Sequence, residues 1–298
     1  SALLYTSTHG ERRIRVATLA LPVVSQVRDL FRGVDQLATA VLLAKKAVDR
    51  TVSSKLEDAR KAVEYKTQEL VQVDRTELGL GGGALGQIPV PRTMNLIPLL
   101  SLATLKHPAL RVTSGMHMPS DLRTFAISQV TTMSPEALFP YLLAQFYALH
   151  ELPPEAGHPD PQSQLTVLPS RLNLSSEKLA RHGVFLLFTS CEQFLWVGRD
   201  AHPGLLQDLF GVQSYPELTS GPLALPELDT DMSRRTRAIM HRLEAQTRFA
   251  TCPTLYLVKE DAPAQLRSLF HSHLVEDKTL SIMSYQQFLS QLREKLQK

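Results

Sequence analysis

Hydrophobic and polar positions change their spacing twice along this chain. Residues 2–7 and 12–21 alternate as two strands would, around Thr8-His-Gly-Glu11, where Gly10 can supply the positive φ of a tight turn. In the second run Ile14, Val16 and Thr18 fall on one face and Arg13, Arg15 and Ala17 on the other. A lone two-stranded hairpin is marginal in water, so this one is expected to join a larger sheet whose other strands lie upstream of Ser1. Pro22 closes the unit.

Helical spacing follows. Val24, Val27, Leu30 and Phe31 share one face, and Leu37, Val41, Leu42 and Val48 share another farther on. Ser53 ahead of Glu57 and Asp58 reads as an N-cap region with acids in the first turn. The helix it opens is expected to bury Leu56, Val63, Leu70 and Val71. Asp74 to Gln87, with its glycine tract at 79–86, reads as a surface loop. A helix from Pro91 through Met94, Ile97, Leu100 and Leu105 is weakened at Pro98, which can split it. Pro119-Ser-Asp-Leu122 starts another, burying Leu122, Phe125, Ile127 and Val130, and Ser134-Pro-Glu136 starts a third.

After about residue 141 the spacing turns strand-like. Gly183 to Gly198 holds two apolar runs around Thr189-Ser-Cys-Glu-Gln193, which predicts strand, turn and strand. Short helices are expected from Ser175-Ser-Glu-Lys178 to the stop at His182-Gly183 and at Pro203–Phe210, and a long amphipathic one at Ser233–Arg248 with Ile239, Met240 and Leu243 inward. A strand at Thr254–Val258 and a helix at Tyr285–Leu296 complete a pattern that predicts a mixed sheet flanked by helices.

With 298 residues, 43% hydrophobic and 20% charged, the chain has the makeup of a packed protein of more than one sub-domain. A net charge of +3 gives no reason to expect nucleic acid, while a locally basic face could meet anionic lipid or an acidic partner. Two cysteines, Cys191 and Cys252, are too few and too far apart for a disulfide framework or a zinc ribbon. No run of eighteen apolar residues occurs. Opening without Met and directly on a strand-like segment, the chain reads as a piece of something longer.

No catalytic constellation emerges. The glycine tract lacks the Lys-Ser/Thr of a phosphate loop and reads as a linker. His271 and His273 are two apart, which a helix sends to different faces, so a metal site with Glu276 is not expected. Ser190 has no elbow pattern or partner base around it. Arg234, Arg235, Arg237 and Arg242 give one helix a basic face, read as solvated, and Trp196 reads as core.

Four blocks carry a family resemblance by their order and separation: Leu174-Ser-Ser-Glu-Lys-Leu179, Phe194-Leu-Trp-Val-Gly198, Leu225-Pro-Glu-Leu-Asp229 and Leu274-Val-Glu-Asp-Lys-Thr279. Together with Ala2–Thr6, Glu11–Val16, Ala47–Arg50 and Leu56–Arg60 they resemble the C-terminal part of the cargo-selecting subunit of the COPII vesicle coat, the Sec-twenty-four family. The resemblance implies an α+β multidomain chain: 1–23 as the last strands of a β-sandwich, 24–140 as an all-α helical domain, and 141–298 as a gelsolin-like mixed-sheet domain with a C-terminal helix. It implies a non-enzymatic adaptor, cytoplasmic and peripheral on the endoplasmic reticulum membrane. The implied partners are the sister inner-coat subunit, the small GTPase of the coat and the cytosolic tails of membrane cargo. No cofactor is implied within these residues; a zinc finger is implied upstream of Ser1. For the wall of a cargo-peptide pocket near the gelsolin-like and helical domains, the implied residues are Phe270 with Arg267 beside it. Two other readings compete. The sister subunit shares the architecture but is disfavoured by the block at 274–279. An actin-binding gelsolin-type protein should carry repeated copies and acidic calcium ligands, whereas a single copy is found.

Overall fold

The computed structural model describes residues 1–21, 23–77, 94–112, 118–247, 252–279 and 281–297. Pro22, the glycine tract and the helix start at Pro91 lie outside them. Strands β1 (Ala2–Thr6) and β2 (Arg12–Val16) pair antiparallel, with Ala2 opposite Val16, and Gly10 takes a φ of 81° in the turn. The second strand stops at Val16, short of the expected Ala20–Leu21. Among the described residues the apolar positions of this hairpin find nothing to pack against: Leu3, Leu4, Ile14 and Val16 are all at least 60% exposed.

The next units are helical: α1 (Val27–Arg32), α2 (Gln36–Ser53), α3 (Leu56–Glu77), α4 (Ile97–Lys106), α5 (Ser120–Thr132) and α6 (Pro135–Leu142). Asp35 caps α2, its Oδ1 accepting from the N–H groups of Leu37 (2.9 Å) and Ala38 (3.1 Å). The buried stripe of α2 differs from the expected one. Ala40, Val41, Ala44, Ala47 and Val48 face inward, while Leu37 and Leu42 are exposed. Small side chains win the inward positions because α2 packs against α3, α4, α5 and α6 at once, and close approach of several helices leaves little room for leucine. Ser53 is the last residue of α2 and not the cap of α3, which begins at Leu56 with Glu57 and Asp58 in its first turn and runs on past Asp74.

Helix α4 is the axis of this unit, with nearly every residue buried, as its apolar sequence requires. Pro98 lies in its first turn, where a missing N–H is no loss, so the helix is not split. In α5 the inward residues are Ala126 and Val130; Leu122 and Phe125, expected to be buried, are 44% and 49% exposed.

The five-stranded sheet starts at β3 (Gln145–Ala148) and includes β4 (Val184–Phe188), β5 (Glu192–Val197), β6 (Gly221–Pro222) and β7 (Thr254–Lys259) in the order β3-β4-β5-β7-β6. Only β5 and β7 are parallel. Thr189 closes the β4–β5 turn by accepting from the N–H groups of Cys191 and Glu192. Helices α7 (Pro203–Phe210) and α8 (Asp231–Gln246) pack on one face with Tyr147, Leu186, Phe188, Leu195 and Leu257. On the opposite face Phe146, Phe185, Phe194, Trp196 and Val258 join a core that continues without a break through α2, α4 and α6. The helical and mixed-sheet units therefore share one interior. Helix α9 (Ala264–Ser272) covers that same face through Phe270. Helix α10 (Tyr285–Gln297), although it follows the mixed sheet in sequence, packs on α3 and α4. Lys295 Nζ lies 3.3 Å from Glu64 Oε2, and Gln68 Nε2 donates to the Lys295 carbonyl at 3.4 Å.

Candidate functional site at the joint of the two units

The sequence blocks at 174–179 and 274–279 meet in space. Glu276 N–H donates to the Leu174 carbonyl (3.0 Å), and Leu174 N–H donates back to Glu276 Oε1 (2.9 Å). Asp277 accepts from Ser175 Oγ (2.8 Å) and from Ser176 N–H (2.9 Å), so its carboxylate caps the single 3₁₀ turn Ser176–Lys178. Burial raises the Glu276 carboxyl above the usual carboxylate range.

Lys106, the last residue of α4, reaches across to the same block. It is 5% exposed, and its Nζ donates to the carbonyls of Val275 (2.7 Å) and Asp277. Burial lowers its pKa to about 8, although Asp277 pulls the other way. The neighbouring His107 is kept neutral: burial, with His273 and Arg111 nearby, pushes its pKa down to about 3. Its Nδ1 accepts from Ala109 N–H at 3.3 Å, and its ring meets Tyr141 edge-on at 4.7 Å. Carbonyls in the last turn of α4 and just beyond it are capped by cations, with Arg60 on Leu105 and Leu110 and Arg123 on Ala109 and Arg111, as the helix dipole favours.

Above this joint lies a cleft of about 290 Å³. Leu122 and Phe125 of α5 form one wall; Tyr256, Leu269 and His273 form the other, over a floor of His107 and Tyr141. Leu122 and Phe125 are thus exposed because they face a cleft. Glu192 Oε2 lies 3.3 Å from His273 Nε2 at its rim.

Phe270 and Arg267 are not brought together at the cleft. Phe270 is fully buried, edge-on to Phe194 at 5.9 Å and to Phe146 at 6.4 Å. Phe194 in turn stacks on Tyr256 at 5.5 Å and touches His273 at 5.4 Å, so Phe270 supports the cleft wall from behind. Arg267 is exposed on α9. Ser190, considered as a nucleophile, is buried with its hydroxyl donating to the Ala137 carbonyl. The basic face of α8 is largely used internally. Arg235 donates to the Ala156 carbonyl (2.7 Å) and the Pro153 carbonyl, Arg237 to that of Leu225 (2.8 Å), and Arg234 pairs with Asp229. The block at 225–229 is therefore an anchor for α8. Gly198, ending the block at 194–198, passes so close to the Arg181 carbonyl that a Cβ would lie 2.1 Å from its oxygen. Sequence reasoning missed Lys106, His107 and Phe125, because nothing in a one-dimensional pattern tells which helix end meets which loop.

Family models described as the Sec23/Sec24 helical domain and the gelsolin repeat match residues 35–140 and 165–240. The chain is 40% identical over 301 residues to protein transport protein SEC24 of Chaetomium globosum, covering 99% of this chain and 31% of that protein. SEC24 of Pyricularia oryzae is 41% identical over 300 residues, and sec24 of Schizosaccharomyces pombe 40% over 298, each again across 99% of this chain. The crystal structure of the human COPII-coat protein Sec24c superposes with a TM-score of 0.83 at 29% identity, over 99% of this chain and 37% of that one. The chain spans about a third of the length of the curated relatives it matches.

Proposed function

We propose that this chain, 40% identical to SEC24 of Chaetomium globosum across 99% of its length, forms the helical and gelsolin-like part of a COPII coat adaptor that selects cargo for transport from the endoplasmic reticulum to the Golgi, without catalysing a reaction. The likeness to SEC24 proteins over 99% of the chain supports this most directly. The same likeness disfavours an actin-binding protein, which would share only the gelsolin repeat. In this reading the protein works with a sister inner-coat subunit and the coat small GTPase, and touches the membrane peripherally. Among the described residues no helix is long and apolar enough to cross a bilayer.

The cleft between α5 and β7–α9 is the part we assign to cargo tails. An apolar side chain of the tail would sit between Phe125 and Leu269, with Phe270 holding the wall from behind and Arg267 offering an exposed cation to an acidic neighbour. Affinity for the chain alone should be weak, because an open cleft buries one side of a short peptide and an exposed ion pair adds at most about 1 kcal/mol. Fluorescently labelled cytosolic-tail peptides titrated against the chain and against Phe125→Ser test the site. Binding that the substitution leaves untouched removes the cleft from the proposal. Failure of the whole protein to co-purify with its sister subunit and the GTPase removes the adaptor role itself.

A further inference from the structure

The exposed ends of β3 and β4 bring together three side chains that belong neither to the cleft nor to the joint beneath it: His150, Glu151 and His182. One ligating atom of each lies within 4.8 Å of the other two. The sheet register places them there. Ala148 pairs with Phe185, and Leu149 N–H donates to the Val184 carbonyl at 2.8 Å. Continuing that pairing sets His150 opposite Gly183 and Glu151 opposite His182. His182 is held by the turn that closes with Gly183 N–H donating to the Ala180 carbonyl at 2.9 Å.

His150 is already oriented. Its side chain is 10% exposed, and its ring lies edge-on to Phe185 at 4.9 Å and to His182 at 5.3 Å. Gly183 makes room for it, since a Cβ there would come within 2.9 Å of His150 Cε1 and 2.4 Å of Phe185. His150 Nδ1 lies 3.2 Å from the Val184 carbonyl and 3.3 Å from the Val184 N–H, so the ring can hold its proton on either nitrogen. A metal ion would select the form with the proton on Nδ1 and shared with the carbonyl, in which Nε2 presents its lone pair outward and a backbone acceptor fixes the ligating imidazole. Nε2 faces Glu151 Oε1 at 3.8 Å.

From this geometry we propose that His150 Nε2, Glu151 and His182 form a binding site for a divalent transition-metal ion of the zinc class. Two imidazoles and one carboxylate suit zinc, while magnesium and calcium want oxygen ligands throughout. Ligand bonds of about 2.0–2.2 Å in a tetrahedron set the donors about 3.4 Å apart. Glu151 and His182 are both exposed, so the closing to that spacing falls to their side chains, with His150 as the fixed ligand. Three protein donors leave a fourth position for water or for a side chain of a binding partner.

The test uses the chain without a polyhistidine tag, stripped by a chelator and titrated with zinc chloride by calorimetry, with cobalt absorption as a second readout. One equivalent should bind, with cobalt bands that zinc displaces and excess magnesium chloride does not. His182→Ala and Glu151→Gln, both on the surface, should each weaken binding at least about tenfold, and His158→Ala should leave it unchanged. Absence of stoichiometric zinc binding, or binding that neither His182→Ala nor Glu151→Gln weakens, overturns the site. So does loss of binding in His158→Ala alone.

Discussion

Two antiparallel hairpins of nearly the same size sit in this molecule, and their surroundings could hardly differ more. In β1–β2 almost every side chain is exposed; in β4–β5 all but Glu192 are buried. Their sequences announce this. Arg12-Arg-Ile-Arg-Val16 alternates, as a strand with one covered face does, whereas Val184-Phe-Leu-Leu-Phe188 is apolar throughout, as a strand covered on both faces must be. The second hairpin has both covers within the chain, α7 and α8 on one side and the helical unit on the other. For the first, the described residues supply neither. Alternation thus states how many faces need a partner; it does not say where the partner is.

The sharpest way to test the contrast is to truncate at its buried pole. Phe194→Ala removes a ring that contacts Tyr256, Phe270 and His273, and should cost about 3–5 kcal/mol in denaturant unfolding. A loss under 1 kcal/mol would mean that the two faces are not one interior. Next in size is Lys106→Met, which keeps the apolar stem but strands the carbonyls of Val275 and Asp277. Two buried acceptors without donors should cost about 2–3 kcal/mol, reduced by the relief of a buried charge, and hydrogen exchange should quicken first around residues 274–279.

A third prediction concerns pH. The unfolded chain protonates His107 below the ordinary value of 6.5, while the folded state holds it neutral down to about 3. The contribution of the neutral imidazole is therefore complete above 6.5 and is lost as the pH falls through that window. By pH 5 the loss should be about 2 kcal/mol, read as a falling melting temperature that flattens in His107→Gln. The smallest effect is expected at the exposed pole. Ile14→Ser should change the stability of the chain by less than about 0.5 kcal/mol; a larger loss would show that β1–β2 is covered in solution after all.

Where the sequence spoke through local chemistry it was legible. Ser134 with Pro135 marked the start of α6, and Pro203 and Gly211 bracket α7, the glycine taking a φ of 73°. The β4–β5 strands were plain from their apolar runs. What stayed hidden depended on size and on distant pairing. Leu42 looked more suited to a core than Ala44, yet Ala44 is the buried one, because close helix contact selects for small volume over hydrophobicity. Leu122 and Phe125 read as interior since a cleft wall and a core wall share one apolar signature. The arginines of α8 looked like a surface feature, and only the fold reveals the carbonyls of Ala156, Pro153 and Leu225 waiting for them. Phe270 entered only through the family resemblance, as an aromatic for a peptide wall; its full burial behind Phe194 comes from the packing of α9 on the sheet, which no local pattern encodes.

Helix α10 has a temporal meaning as well as a spatial one. Its 13 residues complete the surface of α3 and α4, with Gln68 bonded to Lys295 across a separation of 227 positions. At a synthesis rate of about 5–20 residues per second, the ribosome needs about ten seconds or more to travel from the first of those residues to the second. Through that interval the helical unit stands as an unfinished bundle with a bare flank, closed only once α10 has been made.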